Sequence, residues 1–143
     1  MGAMAVEPEG ADGCSVLIVE DSENSASMLE MAFLGIPGLH VLQVPSGVEA
    51  MRILDGAANP VRAVVTDLNM PRMDGFELIR RIRDDSRLRS TPIIVVSADT
   101  DPATPGRIAA LGVDAYFPKP FSPAQLRRTL EQLLNGNNHS HAS

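Results

Sequence analysis

The chain has 143 residues, of which 44% are hydrophobic, so it has the size and composition of a single domain with one core. Eighteen acidic residues against twelve basic ones give a net charge of -6, and the aromatic residues are only four Phe and one Tyr. Both facts argue against direct binding to nucleic acid. No apolar stretch is long enough to span a bilayer, and the single cysteine cannot form an internal disulfide. We therefore expect a soluble cytoplasmic protein that does not enter a membrane.

The two ends of the chain differ in composition from its centre. Residues 1–4 read Met-Gly-Ala-Met, which is typical of a remnant of an expression tag, and residues 135–143 are rich in Asn, Ser and His. We expect residues 1–14 to be a tag remnant and flexible N-terminus, and residues 135–143 to be a polar flexible tail. Residues 15–134 are then the folded domain.

Five short apolar runs predict β-strands. Four of them are almost continuously apolar and contain Val or Ile, as expected of strands that are covered on both faces in a parallel sheet. The predicted strands are residues 16–19, 41–44, 63–66, 93–96 and 115–117. Methionine and leucine stripes with helical spacing lie between and after the strands, and we expect these stripes, including Met28 and Met31, to face the core.

Helix start signals agree with this alternation of strands and helices. Ser22, Ser46 and Ser122 are placed to cap three helices, and Pro123 suits a first helical position. A fourth helix is expected at about residues 103–111, where two prolines and a glycine predict a frayed or shifted first turn. We expect that region to be the mobile one.

Polar side chains follow four of the predicted strands. They are Glu20 and Asp21 after the first strand, Asp67 after the third, Ser97 after the fourth and Lys119 shortly after the fifth. Taken alone, Asp67 could be an ordinary turn residue. Because the carboxyl ends of parallel strands share one edge of a sheet, we expect all five side chains to converge there.

The converging groups indicate phosphoryl chemistry. Three carboxylates repel one another unless a cation or a proton is present, and oxygen ligands of this kind suit Mg²⁺, which usually bridges to phosphate oxygens. Asp67 is the central carboxylate and could attack phosphorus, while Lys119 and Ser97 would bind the phosphoryl oxygens. The sequence therefore predicts an aspartyl phosphate at Asp67.

In this order the motifs resemble the receiver domains of two-component response regulators, of the single-domain chemotaxis type. The resemblance covers about residues 15–134. It rests on Glu20-Asp21, on residues 67–75 (Asp-Leu-Asn-Met-Pro-Arg-Met-Asp-Gly), on Ser97-Ala98 and on residues 116–120 (Tyr-Phe-Pro-Lys-Pro). It implies an α/β fold, namely a (βα)5 flavodoxin-like three-layer sandwich with a five-stranded parallel sheet in the order 2-1-3-4-5.

The resemblance also implies a phosphoacceptor and not an enzyme. A histidine kinase or phosphotransfer protein would donate a phosphoryl group to Asp67. Asp21, Asp67 and the backbone carbonyl of Asn69 would bind Mg²⁺ or Mn²⁺, and Glu20, where the family often has Asp, would act mainly through water. Receivers usually carry the bond between Lys119 and the following proline in the cis form, which we expect here.

A switch is implied as well. Phosphorylation would draw the hydroxyl of Ser97 inward, and the ring of Tyr116 would follow. The fourth helix, fifth strand and fifth helix would form the output face, through which the domain binds partners or dimerises. Asn69 and Asp99 match positions that influence loss of the phosphoryl group, although both types of residue are also common in turns.

Other classes of protein fit the sequence less well. A phosphatase of the haloacid dehalogenase type needs a second acid two residues after its nucleophile, and Asn69 cannot shuttle a proton. A docking module that never takes phosphate is disfavoured because every chemical position is filled. The sequence leaves open whether the domain acts alone on an output partner in trans, or is a receiver excised from a hybrid kinase, a phosphorelay protein or a regulator with its own output domain.

Overall fold

The computed structural model describes residues 15–142, with side chains described as far as Asn135. Strands and helices alternate along the chain. The strands are β1 (Ser15–Val19), β2 (His40–Val44), β3 (Val61–Thr66), β4 (Ile93–Ser97) and β5 (Ala115–Pro118). The helices are α1 (Glu23–Ala32), α2 (Gly47–Leu54), α3 (Gly75–Asp84), α4 (Thr104–Ala110) and α5 (Pro123–Ala142). All five predicted strands are confirmed to within about two residues, and the predicted tag remnant lies outside the described residues.

The five strands form one parallel sheet in the order β2-β1-β3-β4-β5. This confirms the predicted (βα)5 flavodoxin-like topology. The three central strands are buried almost throughout, which explains why their sequences are apolar on both faces. Because all strands run in the same direction, their carboxyl ends meet at one edge of the sheet.

Alternate residues of each strand face two separate cores. In β1, Leu17 and Val19 pack with side chains of α2, α3 and α4, whereas Val16 and Ile18 pack with side chains of α1 and α5. These four residues of β1 are fully buried. The domain is therefore a three-layer sandwich with helices on both faces of the sheet.

Side-chain caps hold the first turn of four helices. Ser22, Ser46, Asp74 and Ser122 each accept a hydrogen bond from the backbone N–H three residues later, at 2.9 to 3.3 Å. The three predicted serine caps are thus confirmed. The fourth helix, α4, lies within the predicted range, and the residue before it, Ala103, provides no side-chain cap.

The prediction that the methionines of α1 face the core is wrong. Met28 and Met31 are 56% and 67% exposed. The buried side of α1 is formed instead by Ala26, Leu29 and Ala32. These three residues recur every three positions and already make one helical stripe, which leaves the two methionines on the solvent side.

The last helix runs further than its leucine spacing predicts. Its buried residues Leu126 and Leu130 lie in its first half, and the helix continues to Ala142 through polar sequence. The assignment of residues 135–143 to a flexible tail stays a prediction. Among the described residues, no helix combines the length and the apolar character needed to cross a membrane.

Candidate functional site

Asp67 follows β3 directly and is only 7% exposed. Its backbone N–H donates to the carbonyl of Val19 at 3.1 Å, and its own carbonyl accepts the hydroxyl hydrogen of Thr66 at 2.8 Å. The carboxylate oxygen Oδ1 accepts hydrogen bonds from the backbone N–H groups of Leu68, at 2.6 Å, and Asn69, at 3.4 Å. The backbone on both sides of Asp67 therefore fixes its position and orients its carboxylate.

The loop after Asp67 turns back against the end of β3, and Gly75 makes this close approach possible. The N–H of Gly75 donates to the carbonyl of Leu68 at 2.9 Å. A Cβ atom on Gly75 would lie 2.3 Å from the carbonyl oxygen of Asp67 and 2.7 Å from the Cα of Leu68. No pattern in the sequence indicates this contact of Gly75 with the backbone of the phosphoacceptor candidate.

Lys119 brings the first and third strand ends together. Its Nζ lies 3.0 Å from Oε1 of Glu20, 3.3 Å from Oδ2 of Asp67 and 3.3 Å from the hydroxyl of Ser25. The peptide bond between Lys119 and Pro120 is cis, as predicted. The structure thus confirms that Glu20, Asp67 and Lys119 converge, and it adds Ser25, which the sequence analysis did not include.

The charges in this cluster depend on one another. Burial raises the pKa of Glu20, while hydrogen bonds from Lys119 and from the N–H of Ser22 act in the opposite direction. Burial lowers the pKa of Lys119, but the hydrogen bond to Glu20 and the charge of Asp67 outweigh this effect and raise it overall. Lys119 is therefore protonated at neutral pH and contacts two carboxylates that are almost inaccessible to water, but its single positive charge can balance only one of them.

Asp21 does not join this cluster. It is exposed and makes no hydrogen bond or ion pair with the other described residues, but together with Glu20 it lines a cavity of about 440 Å³. Within residues 15–135, no three His, Cys, Asp or Glu side chains lie close enough together to hold a metal ion. The donor set still fits Mg²⁺ in its chemistry. Two buried carboxylates, those of Glu20 and Asp67, both contact the ammonium group of Lys119 and so lie near each other, and Asp21, next to Glu20, adds a third oxygen donor.

Ser97 and Tyr116 are joined through the backbone of Asp99. The fully buried hydroxyl of Ser97 accepts a hydrogen bond from the N–H of Asp99 at 3.1 Å, and the hydroxyl of Tyr116 donates to the carbonyl of Asp99 at 3.4 Å. The carboxylate of Asp99 accepts the N–H of Asp101 at 2.7 Å, an ordinary turn interaction. No hydrogen bond links Ser97 to Asp67 in the described part of the chain.

Comparison with known proteins identifies the family. The model of the response regulator receiver domain matches residues 16–131. The chain belongs to this family. Receiver domains are regulatory phosphoacceptors that interact with histidine kinases and downstream targets, and the family generally binds Mg²⁺ at the phosphorylation site.

Similar proteins include stand-alone and longer relatives. The chemotaxis protein CheY1 of Helicobacter pylori is 34% identical over 122 residues, which cover 85% of this chain and 98% of the relative. The transcriptional regulatory protein GltR of Pseudomonas aeruginosa is 35% identical over 87% of this chain but over only 50% of its own length. This receiver is therefore CheY-like, and its relatives differ in what is attached to the domain.

Solved structures agree with this assignment. The chemotaxis response regulator CheY4 of Vibrio cholerae has a TM-score of 0.72 and 31% identity, covering 84% of this chain and 98% of that chain. The signal receiver domain of a signal transduction histidine kinase from Syntrophus aciditrophicus has a TM-score of 0.77 and 32% identity, with coverage of 86% and 91%. The resemblance deduced from the motifs is thus confirmed.

Proposed function

We propose that this receiver domain is a phosphoacceptor switch in which Asp67 takes a phosphoryl group from the phosphohistidine of a histidine kinase or phosphotransfer protein. The observation that carries the proposal is the setting of the Asp67 carboxylate. One oxygen is held at 2.6 Å by the N–H of Leu68, and the other lies 3.3 Å from Nζ of Lys119. A carboxylate fixed in this way is a preorganised nucleophile with a cation at its side.

The transfer exchanges one bond of phosphorus for another. A bond forms between a carboxylate oxygen of Asp67 and phosphorus, and the bond from phosphorus to the imidazole nitrogen of the donor breaks. The electron pair stays on that nitrogen, which takes up a proton from solvent. Lys119 provides a fixed positive charge for the phosphoryl oxygens. Ser97 provides a hydroxyl donor once it has turned away from the N–H of Asp99, from which it accepts a hydrogen bond.

A divalent metal would complete this arrangement. When held by Asp21, Asp67 and the backbone carbonyl of Asn69, with Glu20 acting through water, Mg²⁺ or Mn²⁺ would neutralise charge on the transferred group. Asp21 and Asn69 are both exposed, so their oxygen atoms are accessible to a hydrated metal ion, which supports this assignment. Glu20 is engaged with Lys119, which agrees with an indirect role.

An exposed apolar stripe on α1 and the turn after it supports docking of the phosphodonor beside the site. Met28, Met31 and Leu34 are all more than half exposed, at 56%, 67% and 73%. The stripe continues into an apolar cavity of about 310 Å³ that is lined by Ser25, Met28, Lys119, Pro120 and Phe121. Since Lys119 also contacts Asp67, a kinase or phosphotransfer protein seated on this stripe lies next to the acceptor.

The link from Ser97 through Asp99 to Tyr116 supports a route from the site to the output face. In our proposal, the hydroxyl of Ser97 turns toward the phosphoryl group and releases the N–H of Asp99. The ring of Tyr116 then moves, and the face formed by α4, β5 and α5 reorders. The readout is binding of an output partner in trans, regulation of an output domain in the same chain, or dimerisation through this face.

Phosphorylation by acetyl phosphate tests the acceptor directly. We expect mass spectrometry to detect one added phosphoryl group in the presence of Mg²⁺ and none after chelation of the metal. Asp67→Asn should abolish the addition. Asp84→Asn is the matched control, because Asp84 is an exposed carboxylate at the end of α3, and this variant should be labelled normally. Labelling that persists in Asp67→Asn would move the acceptor to another residue.

The switch is tested by NMR with beryllofluoride and Mg²⁺, which mimic the phosphoryl group. We expect amide shifts in residues 97–101, in α4 and in β5 of the unmodified chain. The same shifts should be largely lost in α4 and β5 of the Tyr116→Ala variant, although the site still binds the mimic. Identical spectra of α4 and β5 with and without the mimic would contradict the proposed output route.

A further inference from the structure

Four arginines line a groove that lies outside the phosphorylation site. Arg72 comes from the loop after β3, Arg80 and Arg81 from α3, and Arg107 from α4, and the groove has a volume of about 500 Å³. We call it the arginine groove. One third of the twelve basic residues of the chain are gathered here, although the chain as a whole has a net charge of -6. A local positive surface on an acidic protein favours an anionic ligand.

The two carboxylates in the groove are already engaged. Asp74 caps α3 by accepting the N–H of Glu77 at 2.9 Å. Glu77 in turn pairs with Arg80 and Arg81, at 2.9 Å each. One carboxylate therefore serves two guanidinium groups, and both arginines keep N–H donors for a further acceptor.

The other two arginines have no carboxylate partner. Arg72 and Arg107 are exposed and make no ion pair with any residue in the described range. The guanidinium group of Arg107 lies over the ring of Phe76, 3.8 Å from its centroid, which holds the charge in a fixed place above an apolar surface. Val48 and Met73 are half-buried and provide accessible apolar surface in the groove.

We propose that the arginine groove binds an acidic segment of a partner protein. Carboxylates of the segment would pair with Arg72 and Arg107, because the planar guanidinium group matches a carboxylate with two parallel hydrogen bonds. An apolar side chain between these carboxylates would pack on the half-buried side chains of Val48 and Met73. The groove thus selects a segment in which acidic and apolar residues alternate.

A short peptide segment suits this surface better than nucleic acid does. A polynucleotide extends beyond a groove of this size, and the acidic remainder of the surface would repel its phosphates. The inference goes beyond phosphoryl transfer and does not depend on it. An occupant that bridges Arg72 and Arg107 would connect the loop after Asp67 to α4.

Fluorescence anisotropy tests the proposal with the full chain and a short labelled peptide in which Glu and Leu alternate. Arg72→Gln and Arg107→Gln should each weaken binding by about tenfold, since each removes a charge-assisted pair. Arg89→Gln is the matched control, because Arg89 is exposed in the connection between α3 and β4, and it should bind like the unmodified chain. Added salt should also weaken binding.

NMR mapping on the unmodified chain gives an answer that does not depend on the folding of any variant. We expect the peptide to shift the amides of residues 72–81 and 104–108. Shifts confined to other parts of the chain, or equal loss of binding in Arg89→Gln, would overturn the proposal. Tighter binding of a labelled oligothymidylate than of the peptide would also overturn it and assign the groove to nucleic acid.

Discussion

Helices α3 and α4 are neighbours on the same side of the sheet, but they are held in different ways. The ten residues of α3 are capped by Asp74 and bury four large apolar side chains. The seven residues of α4 have no side-chain cap, and Ile108 is its only buried apolar residue. The helix that follows Asp67 is therefore well anchored, whereas α4, which our proposal assigns to the output face, is not.

Thr104 adds to this contrast. It is the first residue of α4 and is almost fully buried, yet its hydroxyl is the one buried side-chain polar atom in the described residues without a hydrogen-bond partner. An unpaired buried hydroxyl costs free energy. Stabilising contacts are thus concentrated in α3, beside Asp67, and are fewer in α4, so we expect α4 to open before α3 does.

The largest expected effect on the free energy of unfolding is at the start of α3. Gly75→Ala should lower the free energy of unfolding by about 3 kcal/mol, because the added Cβ meets backbone atoms that cannot move without displacing Asp67. Urea denaturation measures this loss, and acetyl phosphate labelling should be lost with it. The control is Gly106→Ala in α4, where an added Cβ meets nothing within 4 Å. This control should be more stable by about 0.5 to 1 kcal/mol, and a loss there instead would reverse the comparison.

Removal of the α3 cap should have a smaller effect. Asp74→Ala leaves the N–H of Glu77 without its acceptor and should cost about 1 kcal/mol in the free energy of unfolding. Guanidinium chloride denaturation gives the value. Asp84→Ala, at the other end of the same helix, should cost nothing. Equal stability of the two variants would mean that the cap does not anchor α3.

Stabilisation of α4 should oppose switching. Thr104→Val replaces the unpaired hydroxyl by a methyl group of similar size and should raise the free energy of unfolding by about 1 kcal/mol. Thr104→Ser keeps a hydroxyl and should give no gain. We also expect smaller beryllofluoride-induced NMR shifts in α4 of Thr104→Val. A Thr104→Val protein with a lower free energy of unfolding would show that the hydroxyl of Thr104 does not destabilise the fold.

The smallest expected effect concerns Tyr116. Its hydroxyl donates over 3.4 Å to the carbonyl of Asp99, a long hydrogen bond, so Tyr116→Phe should change the free energy of unfolding by about 0.5 kcal/mol or less. Amide exchange in residues 99–103 should nevertheless become faster. A loss as large as that of the Asp74 cap would place Tyr116 among the anchoring residues and weaken its assignment to the switch.

Most of the fold could be predicted because burial on both faces leaves a clear pattern. Strands β1, β3 and β4 read as apolar runs for this reason, and the serine caps mark helix starts through local hydrogen bonds. Met28 and Met31 were misassigned because periodicity alone does not say which stripe of α1 is buried. Packing of α1 against the sheet and α5 selects Leu29 and its neighbours, a tertiary effect.

The site was predictable where it follows from topology. Parallel strands bring Glu20, Asp67 and Lys119 to one edge, and the sequence shows these residues at strand ends. The contact between Lys119 and Ser25 was not predicted, because it depends on the direction of a long side chain. The close approach of Gly75 to the backbone of Asp67 depends on the path of a loop, which no local pattern specifies.

The ammonium group of Lys119 has three protons, and each of them has an oxygen within reach: one from Glu20, one from Ser25 and one from Asp67. No donor remains for a fourth acceptor. A phosphoryl oxygen on Asp67 can therefore bind Lys119 only by displacing one of these three oxygens. If Asp67 takes a phosphoryl group, as we propose, at least one contact of Lys119 with Glu20, with Ser25 of α1 or with Asp67 itself should change, and occupancy of the site would then alter the elements around the lysine.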